Sequence, residues 1–265
     1  MGEDEVFVSL VCGVVALVAW AVYFFRAGSV KVRPPGGGLG WLLLGPAVSA
    51  VLLLVVLRVL AAHDVRGDVL YIAMYQAMGA AWAGLFVFAM PLMGLRPMAD
   101  AVQRGIGGAG FVAGCLIVAV TLAFAGANIG DGPGWWVVVL CAVLSTAVLL
   151  VCWGVLQVVV GPLDRVLVDR DNSAALRLGV CMVCCGAVLG RSVAGTWVDL
   201  GRTIEDFMFT AWPVVLLVAA ECVVSMVATP RVHRPRPSAV LWGGPPAVVY
   251  LVLTCGYLVL RGVPA

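Results

Sequence analysis

The chain has 265 residues, of which 63% are hydrophobic and 11% charged, with a net charge of +2. A soluble domain carries roughly 25% charged and 45–50% apolar residues, and a mean hydropathy of +1.10 leaves too little polar surface to cover a water-soluble fold. The near-neutral balance also lacks the basic stripe of a nucleic-acid binder, so no nucleic acid is expected and the lipid bilayer is the first partner.

A helix that crosses the hydrocarbon core needs about 20 apolar residues, and the chain offers eight such runs. The first is Val6–Phe25. It follows the start Met1-Gly2-Glu3-Asp4-Glu5, which is acidic where a signal peptide is basic, so no cleaved leader is expected. Val6 stands where an N-myristoylation signal needs Ser or Thr. Pro34-Pro35-Gly36-Gly37-Gly38 cannot continue a helix and precedes the second run, Leu39–Ala62. The third and fourth are Leu70–Leu95 and Ile106–Ala127. A turn over Asn128-Ile129-Gly130-Asp131-Gly132-Pro133-Gly134 leads to the fifth, Trp135–Val160. The sixth, Ala174–Trp197, opens on Arg170-Asp171-Asn172-Ser173, where Asn172 or Ser173 is expected to cap the helix. The seventh is Phe207–Ala228, and after Pro230, Pro235 and Pro237 comes the eighth, Ala239–Leu260. No connector is long enough for a soluble domain. The expected fold is all-α: one polytopic membrane helix bundle over residues 1–265.

Orientation follows the basic residues. Alternate connectors hold Arg26, Lys31, Arg33, Arg96, Arg104, Arg165, Arg170, Arg177, Arg231, Arg234 and Arg236, eleven of the sixteen Lys and Arg. The other side holds Arg58, Arg66, Arg191, Arg202 and Arg261. The bias places the first set in the cytoplasm and both termini outside. Trp41, Trp135, Trp136, Trp197 and Trp242 fall near run ends, where an aromatic belt belongs.

All nine cysteines fall inside apolar runs, which suits small packing residues rather than a disulfide framework. Cys181, Cys184 and Cys185 share one helix face, an arrangement open to a soft metal. Yet the two histidines, His63 and His233, lie in connectors on opposite sides. Packing is the expectation, with no metal and no cofactor.

The fourth and sixth runs match at an offset of 69 residues, pairing Gly110 with Gly179, Ala125 with Ala194, Gly126 with Gly195 and Gly132 with Gly201. An offset of two runs keeps both copies in the same orientation, so a parallel helical-hairpin repeat is expected, with units near 104–170 and 173–236. Small residues also stand four apart at Gly110 and Gly114, Gly186 and Gly190, and Ala80 and Gly84. Such pairs let helix backbones approach closely in lipid. They serve packing inside the bundle or, alternatively, a homo-oligomer or membrane-partner interface.

The stretch Val168-Asp169-Arg170-Asp171-Asn172-Ser173-Ala174-Ala175-Leu176-Arg177-Leu178-Gly179, followed by Gly186, Gly190 and Ala194-Gly195, resembles the domain-of-unknown-function 350 family of bacterial inner-membrane proteins. The resemblance covers roughly residues 100–230, with Gly107–Gly126 as the other half of the unit. The fourth run departs from that pattern, with Arg104-Gly105-Ile106-Gly107-Gly108 in place of the Asn-Ala-Ala helix start. The resemblance implies a bacterial inner membrane and a role near envelope stress, and no reaction.

Ionisable groups within a span are costly, so each is a functional candidate. Arg191 and Arg58 lie toward the outer ends of the sixth and second runs. They are expected to snorkel to headgroups; the alternatives are an anion path or salt bridges to Asp68, Asp199 or Asp206. Glu221 lies slightly cytoplasmic of the centre of the seventh run and is expected to be neutral or paired. Its depth differs from that of Arg191 by roughly 10–12 Å. Gln76 and Gln157 are candidates for interhelical hydrogen bonds, and Thr121, Ser145 and Thr146 for bonds to their own helix. Asp169-Arg170-Asp171 is the nearest approach to a polar site and reads as a solvated cap. No His-Glu-x-x-His, Gly-x-Ser-x-Gly or Walker loop is present.

The leading functional expectation is therefore a non-enzymatic inner-membrane scaffold or envelope-associated component. The alternative is a small channel or transporter using Glu221 and Arg191, with Pro46, Pro91, Pro213, Pro245 and Pro246 breaking helices. A membrane enzyme ranks third. A transporter needs water to reach Glu221, whereas a scaffold needs a closed core.

Overall fold

The computed structural model describes residues 2–30, 37–228 and 239–262. Every regular element among them is helical: α1 (Glu3–Ser29), α2 (Leu39–Val59), α3 (His63–Gly67), α4 (Val69–Ala89), α5 (Gly107–Gly126), α6 (Trp135–Val160), α7 (Pro162–Leu167), α8 (Asn172–Val193), α9 (Leu200–Ala211), α10 (Pro213–Val227) and α11 (Gly244–Arg261). Eight helical segments among these residues are long and apolar enough to cross a membrane. The protein is an integral, multi-pass membrane protein.

The expected runs correspond to these segments, and the differences have physical causes. α1 extends beyond its apolar run at both ends, with Glu3, Asp4 and Glu5 in its first turn and Arg26 in its last, which complements the helix dipole. The seventh span begins at Leu200 rather than Phe207, because the Asp199 side chain caps α9 by accepting from the Arg202 N–H at 2.9 Å. Two polar turns of α9 thus precede the apolar run. Pro213 supplies no N–H, and the segment is interrupted at Trp212 before α10. The cap of α8 is also one residue earlier than expected. Asp171 Oδ1, not Asn172 or Ser173, accepts from the Ser173 and Ala174 N–H groups at 2.8 and 3.2 Å. Lys31, Arg33, His233 and the Pro230–Pro237 connector lie outside the described residues.

α5 and α8 form the axis of the bundle. In each, 78% of the spanning window is buried, against 11% for α1. Both can sit so deep because their contacts are backbone to backbone. A Cβ built on Gly126 would strike the Gly190 backbone, one on Gly186 would strike Ala119, and one on Gly190 would strike the Leu122 carbonyl. On its other face α5 meets α2, where a Cβ on Gly45 would lie 2.7 Å from the Gly114 Cα and one on Gly38 at the same distance from the Gly110 Cα. Without a water-driven force between helices, this proximity supplies dispersion contacts. Gly110, Gly114, Gly186 and Gly190 are therefore occupied by partners within the chain. The glycines matched by the 69-residue offset have different neighbours: Gly110 meets Gly38, whereas Gly179 meets Phe111 and Cys115.

Aromatic side chains with a polar atom fasten the outer helices. Trp20 Nε1 donates to the Ala80 carbonyl at 2.9 Å, Tyr23 O–H to the Leu42 carbonyl at 2.9 Å and Tyr257 O–H to the Thr210 carbonyl at 2.6 Å. Each buries a polar atom with a partner, as an apolar medium requires.

The glycine contacts make a direct prediction. Gly190→Ala should destabilise the bundle by about 1–3 kcal/mol through overpacking. Gly154→Ala, where an added Cβ meets nothing within 4 Å, should be neutral or stabilising by up to about 1 kcal/mol. Unfolding in detergent compares the two.

Candidate functional site

Two fully buried charged side chains of the described bundle face each other. Arg177 and Glu221 are both 0% exposed. Arg177 stands five residues from the start of α8 and Glu221 six from the end of α10, and because the two spans run in opposite directions they lie at one depth. Arg177 Nε donates to Glu221 Oε1 at 3.3 Å. Arg177 Nη1 donates to Ser173 Oγ at 2.7 Å and to the Trp242 carbonyl at 2.6 Å. Glu221 accepts two further bonds, from Ser225 O–H to Oε1 at 2.7 Å and from Tyr250 O–H to Oε2 at 2.9 Å. Four elements meet here: α8, α10, α11 and the turn before α11. Coulomb attraction is strong in so low a dielectric, and the added hydrogen bonds offset the desolvation of both charges.

Arg165, on α7, closes this end of the bundle. Its guanidinium donates to the Ser225 carbonyl at 2.9 Å and to the Val160 carbonyl at 3.3 Å. Burial, then the nearby Arg177 charge, lowers its pKa below the ordinary arginine value.

Arg177 thus corrects the sequence-based topology, which counted it among the connector cations. It lies three residues inside the expected sixth run, so its position there was the available signal. Asp100 was also missed. It is buried, pairs with Arg104 at 2.8 Å, and accepts from the Arg96 N–H at 2.8 Å.

The other candidates are dispersed. Arg191 lies at the opposite end of α8 from Glu221. Its Nε donates to the Gly262 carbonyl at 2.8 Å and its Nη2 to the Arg261 carbonyl at 3.2 Å, so it holds the end of α11 rather than bridging to Asp199 or Asp206. Arg58 is exposed near the end of α2. Gln76 Nε2 bridges α4 to α2 by donating to the Ala50 carbonyl at 3.2 Å. Gln157 acts locally instead, its Oε1 accepting from the Leu163 N–H at 3.3 Å at the start of α7. Thr121 and Ser145 bond their own helices, to the carbonyls of Ile117 at 2.8 Å and Cys141 at 2.9 Å. Thr146 does not; its Oγ1 accepts from Trp82 Nε1 at 3.1 Å.

All nine cysteines are free. Cys181, Cys184 and Cys185 are buried in the core. Among the described residues, no three His, Cys, Asp or Glu side chains are grouped to hold a metal ion. Asp171 caps α8, and Asp169 and Arg170 beside it are exposed. Comparison with protein-family models, curated proteins and solved structures gave no match to this chain.

The cluster predicts a graded stability effect. Tyr250→Phe removes one hydrogen bond to a charged acceptor and should lower the unfolding free energy by about 1.5–3 kcal/mol. Denaturant titration in micelles measures it; unchanged stability would show that this bond holds nothing.

Proposed function

We propose that this membrane protein is a non-enzymatic scaffold or envelope-associated component of a bacterial inner membrane, with both termini on the outer side. The observation that carries this reading is the full burial and internal pairing of Glu221. Its carboxylate accepts from Arg177, Ser225 and Tyr250, and none of its surface is exposed. A transport carboxylate must exchange partners with water or an ion in each cycle, whereas this one is committed to three helices.

The remaining polar candidates support the same reading. Arg191, Gln76 and Gln157 are each engaged in hydrogen bonds inside the chain. Arg191 and Glu221 sit at opposite ends of the bundle, which disfavours a permeation route lined by both. The placement in a bacterial inner membrane draws on the resemblance of the Val168–Gly179 stretch, and the orientation on the basic connectors. With the core glycines engaged internally, a homo-oligomer or membrane partner would contact the apolar faces of the least buried spans, α1 and α11.

Flux in proteoliposomes tests the reading. Wild-type protein should pass protons, Na⁺ and K⁺ no faster than empty liposomes, and Glu221→Gln should leave that baseline unchanged. Flux above the baseline that disappears in Glu221→Gln would reject the scaffold reading in favour of a transporter.

A further inference from the structure

The end of the bundle opposite the Arg177–Glu221 cluster opens into a polar cavity of about 390 Å³, within the range of small-molecule sites. Its walls come from connections far apart in the chain. The Gly195 N–H donates to the Ile129 carbonyl and the Trp197 N–H to the Asp131 carbonyl, both at 2.8 Å. The α5–α6 and α8–α9 loops therefore run side by side. Gly130 permits this, because it has a φ of +106° and any Cβ on it would strike the Gly195 backbone.

Burial divides the lining into a floor and a rim. Tyr75 and Asn128 are 7% and 5% exposed, while Asp64, Asp131 and Asp206 are exposed; all five line the cavity. Asn128 Nδ2 donates to the Phe124 carbonyl at 3.0 Å, which fixes the orientation of the carboxamide. Its Oδ1 is buried and has no hydrogen-bond partner. Folded proteins rarely leave a buried acceptor unpaired, and because Asn128 borders the cavity, a donor bound there would satisfy it. The sign of its charge follows from the lining, which contains three aspartates and His63 but no Lys or Arg. The carboxylates are not grouped for chelation and act as a field rather than a metal cage. Tyr75 and Trp197 add aromatic surface, whose faces attract ammonium groups.

We propose that this cavity binds a small organic cation: a protonated amine that donates to Asn128 Oδ1 and is drawn in by Asp64, Asp131 and Asp206, with a compact apolar body against Tyr75 and Trp197. This goes beyond the scaffold reading, which depends on Glu221 and not on this cavity.

The test uses the full chain in lipid nanodiscs and three probes that share a phenylethyl body: 2-phenylethylammonium, neutral 2-phenylethanol and anionic 3-phenylpropionate. The ammonium should bind saturably, at least about tenfold more tightly than the alcohol, and the carboxylate should not bind. Asn128→Ala should weaken the ammonium about tenfold or more, the scale of one hydrogen bond to a charged group. Asp206→Asn, at an exposed position, should weaken it several-fold without touching the core, and decides the matter if Asn128→Ala fails to fold. Absence of saturable ammonium binding would overturn the proposal. So would equal affinity for ammonium and alcohol, or ammonium binding that Asp206→Asn leaves unchanged.

Discussion

In hydrocarbon there is no water to take up a charge or an unpaired hydrogen-bonding group, so each one must find its partner inside the protein. The arrangement around Glu221 follows from that constraint. A carboxylate on α10 is offset by a guanidinium on α8, and further hydrogen bonds tie the pair to Ser173, Ser225, Tyr250 and the Trp242 carbonyl. The pair therefore fixes the depth of α8 against α10 and holds α11 to both. Arg191 at the other end of α8 fastens the far end of α11. α11 is thereby held by polar contacts toward both of its ends, although most of its spanning window is unburied.

The glycine contacts of α5 and α8 fill a complementary role. Close backbone approach gives these two helices a shared centre, around which α2, α6 and the other spans pack. Apolar packing is nearly indifferent to register in a medium as apolar as the helices themselves, so small residues and polar pairs supply the specificity. At the end away from Glu221 the same two helices lead into loops that bond to each other, and the cavity with its unpaired Asn128 oxygen lies there. The bundle thus combines a sealed polar cluster at one end with an open polar cavity at the other.

The spans were legible because a run of about 20 apolar residues has few other uses; Trp135–Val160 coincides with α6 to the residue. The short helices α3 and α7 were not, since five or six residues carry too little periodicity to distinguish a turn from a loop. α9 was missed at its start because Arg202, Thr203, Glu205 and Asp206 interrupt the apolar pattern while remaining helical. Glu221 was legible as a buried acid, and its partner was not. A basic residue one turn inside a span looks like a connector cation until the opposite helix is placed beside it. The cavity was also beyond reach of the sequence, since Tyr75, Asn128 and Asp206 come from three separate parts of the chain and only the fold unites them.

The central claim is that Arg177 and Glu221 stabilise the bundle as a pair, and a double-mutant cycle tests it most directly. Arg177→Met and Glu221→Met, singly and together, would be compared by reversible unfolding in micelles. The account predicts that each single change costs about 3–5 kcal/mol by leaving a buried charge alone. The double change should cost less than the sum of the two by about 1.5–3 kcal/mol. Additive losses, with no coupling between the two positions, would contradict it.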